Sequence, residues 1–163
     1  MNTYAIVFSS NTGNTEQLAK TIQRTLSDES CIYYGKPSQE AQAANRVYLG
    51  FWTDKGSADP SILNFIKALK NKEIFLFGTA GFGGHAEYFE QILECVRSNI
   101  DSSNTVIGSF MCQGKMPISV RNRYCALKAQ GKGVDALIEN YDQALSHPDA
   151  KDLDLLTKAI AAV

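Results

Sequence analysis

Apolar residues along this chain fall into short unbroken runs that alternate with stretches of helical spacing. Tyr4-Ala-Ile-Val-Phe8 is nearly all apolar and ends in small polar residues, the pattern of a strand covered on both faces. Residues 15–26 then place Leu18, Ala19, Ile22 and Leu26 on one side of a helix. Residues 30–34 predict a short, more polar strand, and 47–51 a buried one followed by Trp52 and a loop rich in Asp and Gly. Pro60 opens a helix carrying Ile62, Leu63, Phe65, Ile66 and Leu69, because a first-turn residue needs no N–H. Glu73-Ile-Phe-Leu-Phe77 is the clearest buried strand; a glycine-rich turn over 78–84, an amphipathic helix over 87–96 and a fifth strand over 105–111 follow. Beyond Gly114 the spacing is wholly helical, over 119–129, 134–145 and 153–163, with breaks at Gly131, Gly133 and Pro148.

Strands alternating with helices call for parallel pairing, since parallel neighbours need a crossover. The expectation is an α/β protein: a doubly wound five-stranded parallel sheet, order 2-1-3-4-5, with extra C-terminal helices. At 163 residues, one domain spanning 1–163 is expected. The apolar and charged fractions, 44% and 20%, are those of an ordinary globule and exclude a disordered chain. A net charge of −1, with acids and bases in both halves, gives no field that would draw nucleic acid or a charged membrane. No apolar stretch nears the ~20 residues of a bilayer span, and no basic leader precedes the first strand, so a cytoplasmic location is expected. Cys31, Cys95, Cys112 and Cys125 lie far apart with no C-x-x-C pair, which favours reduced thiols over zinc or a disulfide framework.

In an open parallel sheet, ligands bind beyond the C-terminal strand ends, where strand order reverses about the first strand. Residues 9–15 occupy that place. They hold four hydroxyl residues, two Asn and one Gly, and lead into a helix whose free N–H groups and dipole attract an anion. Ser10, Thr12 and Thr15 each carry a hydroxyl for phosphate oxygens, and Gly13 permits a positive φ or a close backbone approach. A triphosphate loop would want Gly-Lys-Ser/Thr and a dinucleotide loop G-x-G-x-x-G; neither is present. The competing reading is a polar helix cap at Asn11 or Thr12.

Ser10-Asn11-Thr12-Gly13-Asn14-Thr15 after an apolar strand resembles the phosphate loop of the flavodoxin family, and the resemblance extends over residues 3–113. It implies noncovalent FMN, with a stacking aromatic after the third strand, here Trp52 followed by Thr53. It also implies that the loop after the fourth strand, Thr79-Ala80-Gly81-Phe82-Gly83-Gly84-His85, lies against the ring's other face and polar edge. The family's acidic and tyrosine positions are missing from that longer loop, leaving Phe82 to stack, with Tyr88 expected in the core. His85 reads as a solvated loop residue, with a proton relay as the sharper alternative. Asp54 and Asp59 would oppose a negatively charged reduced ring, with Lys55 as a partial offset. The family further implies a peptide at Lys55-Gly56 or Gly56-Ser57 that reorients with the redox state.

The resemblance implies an electron-transfer protein working with a redox partner protein, and not with nucleic acid or membrane, as a monomer or weak dimer. Flavodoxins are typically acidic, and this chain is nearly neutral. Lys115, Arg121, Arg123, Lys128 and Lys132 begin where the fifth strand ends; they are either a solvated helix face or, at Lys115 and Arg121, a receiver for an anionic substrate or acidic partner. Residues 111–117, Met-Cys-Gln-Gly-Lys-Met-Pro, resemble a stretch in small flavodoxin-like proteins grouped with bacterial bilirubin reductase. The alternative is therefore an FMN-dependent reductase of quinone or tetrapyrrole type, acting directly on a small substrate. A G-x-S-x-G elbow is absent, and Cys112 has no arginine at phosphatase-loop spacing, so it reads as a buried structural thiol.

Overall fold

A computed structural model describes residues 2–83 and 85–163, so Gly84 of the expected glycine-rich turn lies outside the described residues. The elements in chain order are β1 (Tyr4–Phe8), α1 (Asn14–Thr25), β2 (Cys31–Gly35), β3 (Arg46–Asp54), β4 (Ser57–Ala58), α2 (Pro60–Ile66), β5 (Glu73–Ala80), α3 (Ala86–Arg97), β6 (Thr105–Gln113), α4 (Ile118–Ala129), α5 (Asp135–Ala144) and α6 (Ala150–Ala161). Five strands pair in parallel in the order β2-β1-β3-β5-β6, the expected 2-1-3-4-5 arrangement. The short β4 is an addition: it pairs antiparallel with the end of β3, Thr53 opposite Ala58 and Asp54 opposite Ser57.

Alternation along the strands splits the core into two layers. Ala5, Val7, Val47, Leu49, Ile74 and Leu76 face α2 and α3, meeting Ile62, Ile66, Ile92 and Val96. Tyr4, Ile6, Phe8, Tyr48, Phe75 and Phe77 face the other way, against Leu18 and Ile22 of α1 and Leu156 and Ile160 of α6. Near-continuous apolar strands are what a sheet covered on both sides requires.

Several features differ from the sequence reading or add to it. β3 and β5 run on to Asp54 and Ala80, so Trp52, Thr53, Thr79 and Ala80 are held in strand ladders and not in loops. The β2–β3 crossover uses a short 3-10 turn, Gln39–Ala43, in place of an α-helix. Of the extra helices, only α6 covers the sheet. Helix α4 has no buried residue; it forms a hairpin with α5, held by Arg121–Asp142 at 3.0 Å and Lys128–Asp135 at 2.9 Å. Among the described residues, no helix is long and apolar enough to cross a membrane.

Candidate functional site

The C-terminal ends of β1, β3, β5 and β6 open onto a cavity of about 400 Å³. Its lining draws on Asn11, Thr12 and Asn14 at the first loop and the start of α1, Trp52, Thr53, Lys55 and Gly56 from the β3–β4 hairpin, Thr79 and Ala80 at the end of β5, and Gly81 and Phe82 just beyond it. Tyr88 and residues 114–117 complete it. Nine of the thirteen residues expected around a flavin thus line one cavity, Asn11, Thr12, Asn14, Trp52, Thr53, Thr79, Ala80, Gly81 and Phe82, whereas Ser10, Gly13, Thr15 and Gly83 do not. Ser10 lines a neighbouring cavity with Ser9 and Lys36, and Thr15 lies beneath the first loop.

The first loop is preorganised. Ser9 N donates to Gly50 O at 3.1 Å, and Gly13, the N-cap of α1, sits at φ 89°, a conformation costly to a residue with a Cβ. No side chain caps α1 from that position. Ser10 Oγ accepts from Glu16 N at 3.3 Å, which leaves its own proton free to donate. Among the described residues the N–H groups of Asn14 and Thr15 find no acceptor, so the helix presents open donors. Thr15 acts differently from Ser10: its buried hydroxyl donates to Phe51 O at 3.1 Å and meets Thr79 Oγ1 at 3.3 Å, bracing the loop onto β3 and β5. Thr12 Oγ1 and Asn14 Nδ2 both donate to Lys115 O, at 3.2 and 2.8 Å. Among the described residues Asn14 Oδ1, a buried acceptor on a residue that lines the cavity, has no partner.

Asp59, expected to oppose a negative ring, is instead 1% exposed and is not a lining residue. Its carboxylate caps α2 at Ile62 N (3.4 Å), accepts from Trp52 N at 3.3 Å and takes the Ser9 hydroxyl. Burial raises its pKa above the ordinary value, and those hydrogen bonds partly offset the rise. The charged lining residues are Lys55 and Lys115, both exposed, so cationic side chains rim this cavity. Arg121, grouped with Lys115 on sequence grounds, is paired with Asp142.

Lys55 and Gly56 have φ of 52° and 80° in a two-residue hairpin, the type I′ geometry. Turning over the Lys55–Gly56 peptide would give type II′, which wants glycine where Lys55 stands. The Lys55 Cβ therefore resists the reorientation expected there. Phe82 is 41% exposed and packs edge-on against Tyr88, ring centroids 6.5 Å apart. Tyr88 belongs partly to the core, as expected, and also to the cavity wall, which was not foreseen. His85 is exposed at the start of α3 with no side-chain capping bond. Residues 114, 116 and 117 were likewise missed; their position just beyond the last parallel strand was the available signal. Cys112 is buried as expected, and burial pushes its thiol pKa up.

A doubly wound sheet with a hydroxyl-rich loop at its switch point and aromatic loops beside it defines a flavodoxin-like α/β protein. The family model for the flavodoxin domain matches residues 5–161. The flavodoxin-like domain-containing protein BilS of Clostridium symbiosum (strain WAL-14163) is 39% identical over 170 residues, covering 92% of this chain and 90% of that one. The BilS of Clostridioides difficile (strain CD3) is 31% identical over 158 residues, covering 91% and 88%. Oxidised Flavodoxin 2 from Bacillus cereus superposes with a TM-score of 0.58 at 14% identity, over 98% of this chain and 96% of that one. The chain belongs to the flavodoxin family, and its cofactor is FMN.

The cavity passes a test of fit for that group. Its volume of about 400 Å³ lies within the range of small-molecule sites. Open helix N–H groups suit the phosphate, and the orphaned Asn14 Oδ1 suits a hydroxyl or ring N–H donor.

Proposed function

We propose that this chain is an electron-transfer flavoprotein that holds FMN in the cavity and exchanges electrons with a redox partner protein. Bound FMN supplies one- and two-electron chemistry. The residues of the chain bind and orient it. Ser10 receives the phosphate through its free hydroxyl proton, and Asn11, Thr12, Gly13 and Asn14 through backbone N–H groups and the open end of α1, with Thr15 holding the loop in shape. Trp52 and Phe82 supply apolar faces for the ring, while Thr53, Thr79, Ala80, Gly81 and Gly83 bring backbone and small polar groups to its edge. The chain works as one domain in the cytoplasm.

The observation that carries this reading is the meeting, in one cavity, of Asn14 at the α1 N-terminus, whose N–H is open, with Trp52, Phe82 and Tyr88. Exposed Lys55 and Lys115 at the same cavity favour a partner with an acidic docking face.

The same two lysines support a second reading: a reductase acting directly on an anionic small substrate of quinone or tetrapyrrole type, such as an accessory role in bilirubin reduction. Titration of purified protein with FMN, followed by anaerobic reduction and mixing with acceptors, separates the two. The carrier reading expects stoichiometric quenching of FMN fluorescence and no sustained turnover of a nicotinamide and a quinone by the chain alone. Sustained turnover moves the assignment to the reductase, and absence of FMN uptake at micromolar protein overturns both.

A further inference from the structure

The carbonyl of Gly81, in the loop after β5, accepts two side-chain amides: Gln113 Nε2 and Asn140 Nδ2, each at 3.0 Å. Gln113 Nε2 also donates to Asn140 Oδ1 at 3.1 Å, which closes the network. Gln113 is buried at the end of β6, whereas Asn140 comes from α5, in the hairpin placed between β6 and α6. The loop is pressed onto this pair: a Cβ on Gly83 would stand 2.7 Å from Gln113 Cδ, so only glycine lets the backbone come so near.

We propose that Gln113 and Asn140 form a positioning clamp that orients the Gly81–Phe82 peptide for the cofactor and ties the α4–α5 hairpin to the site. In a planar trans peptide, the Phe82 N–H points opposite to the Gly81 C=O. Gly81 and Phe82 line the cavity, and neither Gln113 nor Asn140 does. Drawing the carbonyl toward the two amides therefore turns the Phe82 N–H toward the cavity, where it is a donor for an acceptor atom of the ring. Reversing the peptide would leave two amide donors and one carbonyl without partners, which is why the arrangement holds. Since one of those amides belongs to α5, any load on the hairpin, including a docked partner, reaches the peptide beside the ring. This inference rests on the FMN reading.

Two variants test it. Asn140→Asp keeps the side-chain shape but sets a carboxylate oxygen against the Gly81 carbonyl, and Asn140→Ala removes the donor without adding charge. Each is measured by FMN titration, by the visible spectrum of the bound flavin, by its midpoint potential, and by thermal melting of the flavin-free protein. The expected result is a Kd weakened about tenfold, with a displaced visible band and a shifted potential, while Asn140→Ala without flavin melts close to wild type. Variants that bind with the wild-type Kd, spectrum and potential overturn the clamp alone. Should Asn140→Asp fail to fold, Asn140→Ala decides, and the Phe82 amide resonance in flavin-free protein is expected to move on that substitution. A wild-type chain that takes up no FMN overturns the cofactor reading and this inference with it.

Discussion

The two halves of the cavity are built in opposite ways. The side proposed for the phosphate is one local loop, residues 9–15, of which Asn11, Thr12 and Asn14 line the cavity, and it is shaped by Gly13 at positive φ and the helix that follows. The side proposed for the ring is gathered from the β3–β4 hairpin, the end of β5 and the loop after it, the start of α3 and the loop after β6. Its pieces are joined to the first half by long-range bonds, such as those from Thr12 and Asn14 to the carbonyl of Lys115, 103 and 101 positions away. A local loop carries its geometry in its own sequence. A gathered wall depends on the sheet delivering each strand end to the same edge.

The largest expected effect separates the halves directly. Trp52→Ala removes an aromatic face and should weaken both FMN and riboflavin on the order of 100-fold, or about 2.7 kcal/mol, read by fluorescence titration with each flavin. An equal loss for both would assign Trp52 to the ring side; a loss confined to FMN would move it to the phosphate side. Ser10→Ala is the converse. It should weaken FMN about tenfold through one lost bond to a charged group and leave riboflavin unaffected. If both flavins weaken alike, the first loop does not discriminate for phosphate.

Thr15→Val should reduce the stability of the flavin-free protein by about 1 kcal/mol, because the buried Phe51 carbonyl loses its donor. Urea unfolding measures this, and unchanged stability would return the Thr15 hydroxyl to the phosphate. The smallest effect concerns Asp59, which braces Ser9 and the backbone of Trp52 and so touches both halves. Burial raises its pKa above the ordinary 3.8, so the folded state holds that proton more tightly than the unfolded chain. The resulting stabilisation is complete below the ordinary value and is lost as pH rises through the raised one. Urea midpoints of wild type relative to Asp59→Asn should accordingly decline from acid toward neutral pH. A difference that does not vary with pH would show that the carboxyl titrates alike in folded and unfolded chains.

The parallel strands were legible because an unbroken apolar run such as Ile74-Phe75-Leu76-Phe77 has few uses other than a strand buried on both faces. The place of the hydroxyl-rich loop at the cavity was legible for a related reason: hydroxyls, Asn and Gly between a strand and a helix have a direct local meaning. The β4 strand was not visible, since two residues are too short for any period. Tyr88 illustrates a different failure, because helical spacing gives its side of the helix but not which neighbours leave part of that side open. Asp59 was assigned to the ring by nearness along the chain, whereas its bonds to Ser9 and the Trp52 backbone turn it inward.

Sequence alone determined the doubly wound architecture, the place of the hydroxyl-rich loop and the aromatic identity of Trp52 and Phe82, because periodicity and local turn chemistry act over a few residues. Only the tertiary structure decided that Thr15 braces and does not reach outward, that Lys115 lies exposed at the cavity while Arg121 joins Asp142, and that α5 sends Asn140 to the loop after β5. Each of these depends on which distant hydrogen-bonding group lies within about 3 Å, a matter settled by how helices and strands pack and not by the identity of the residues next in line.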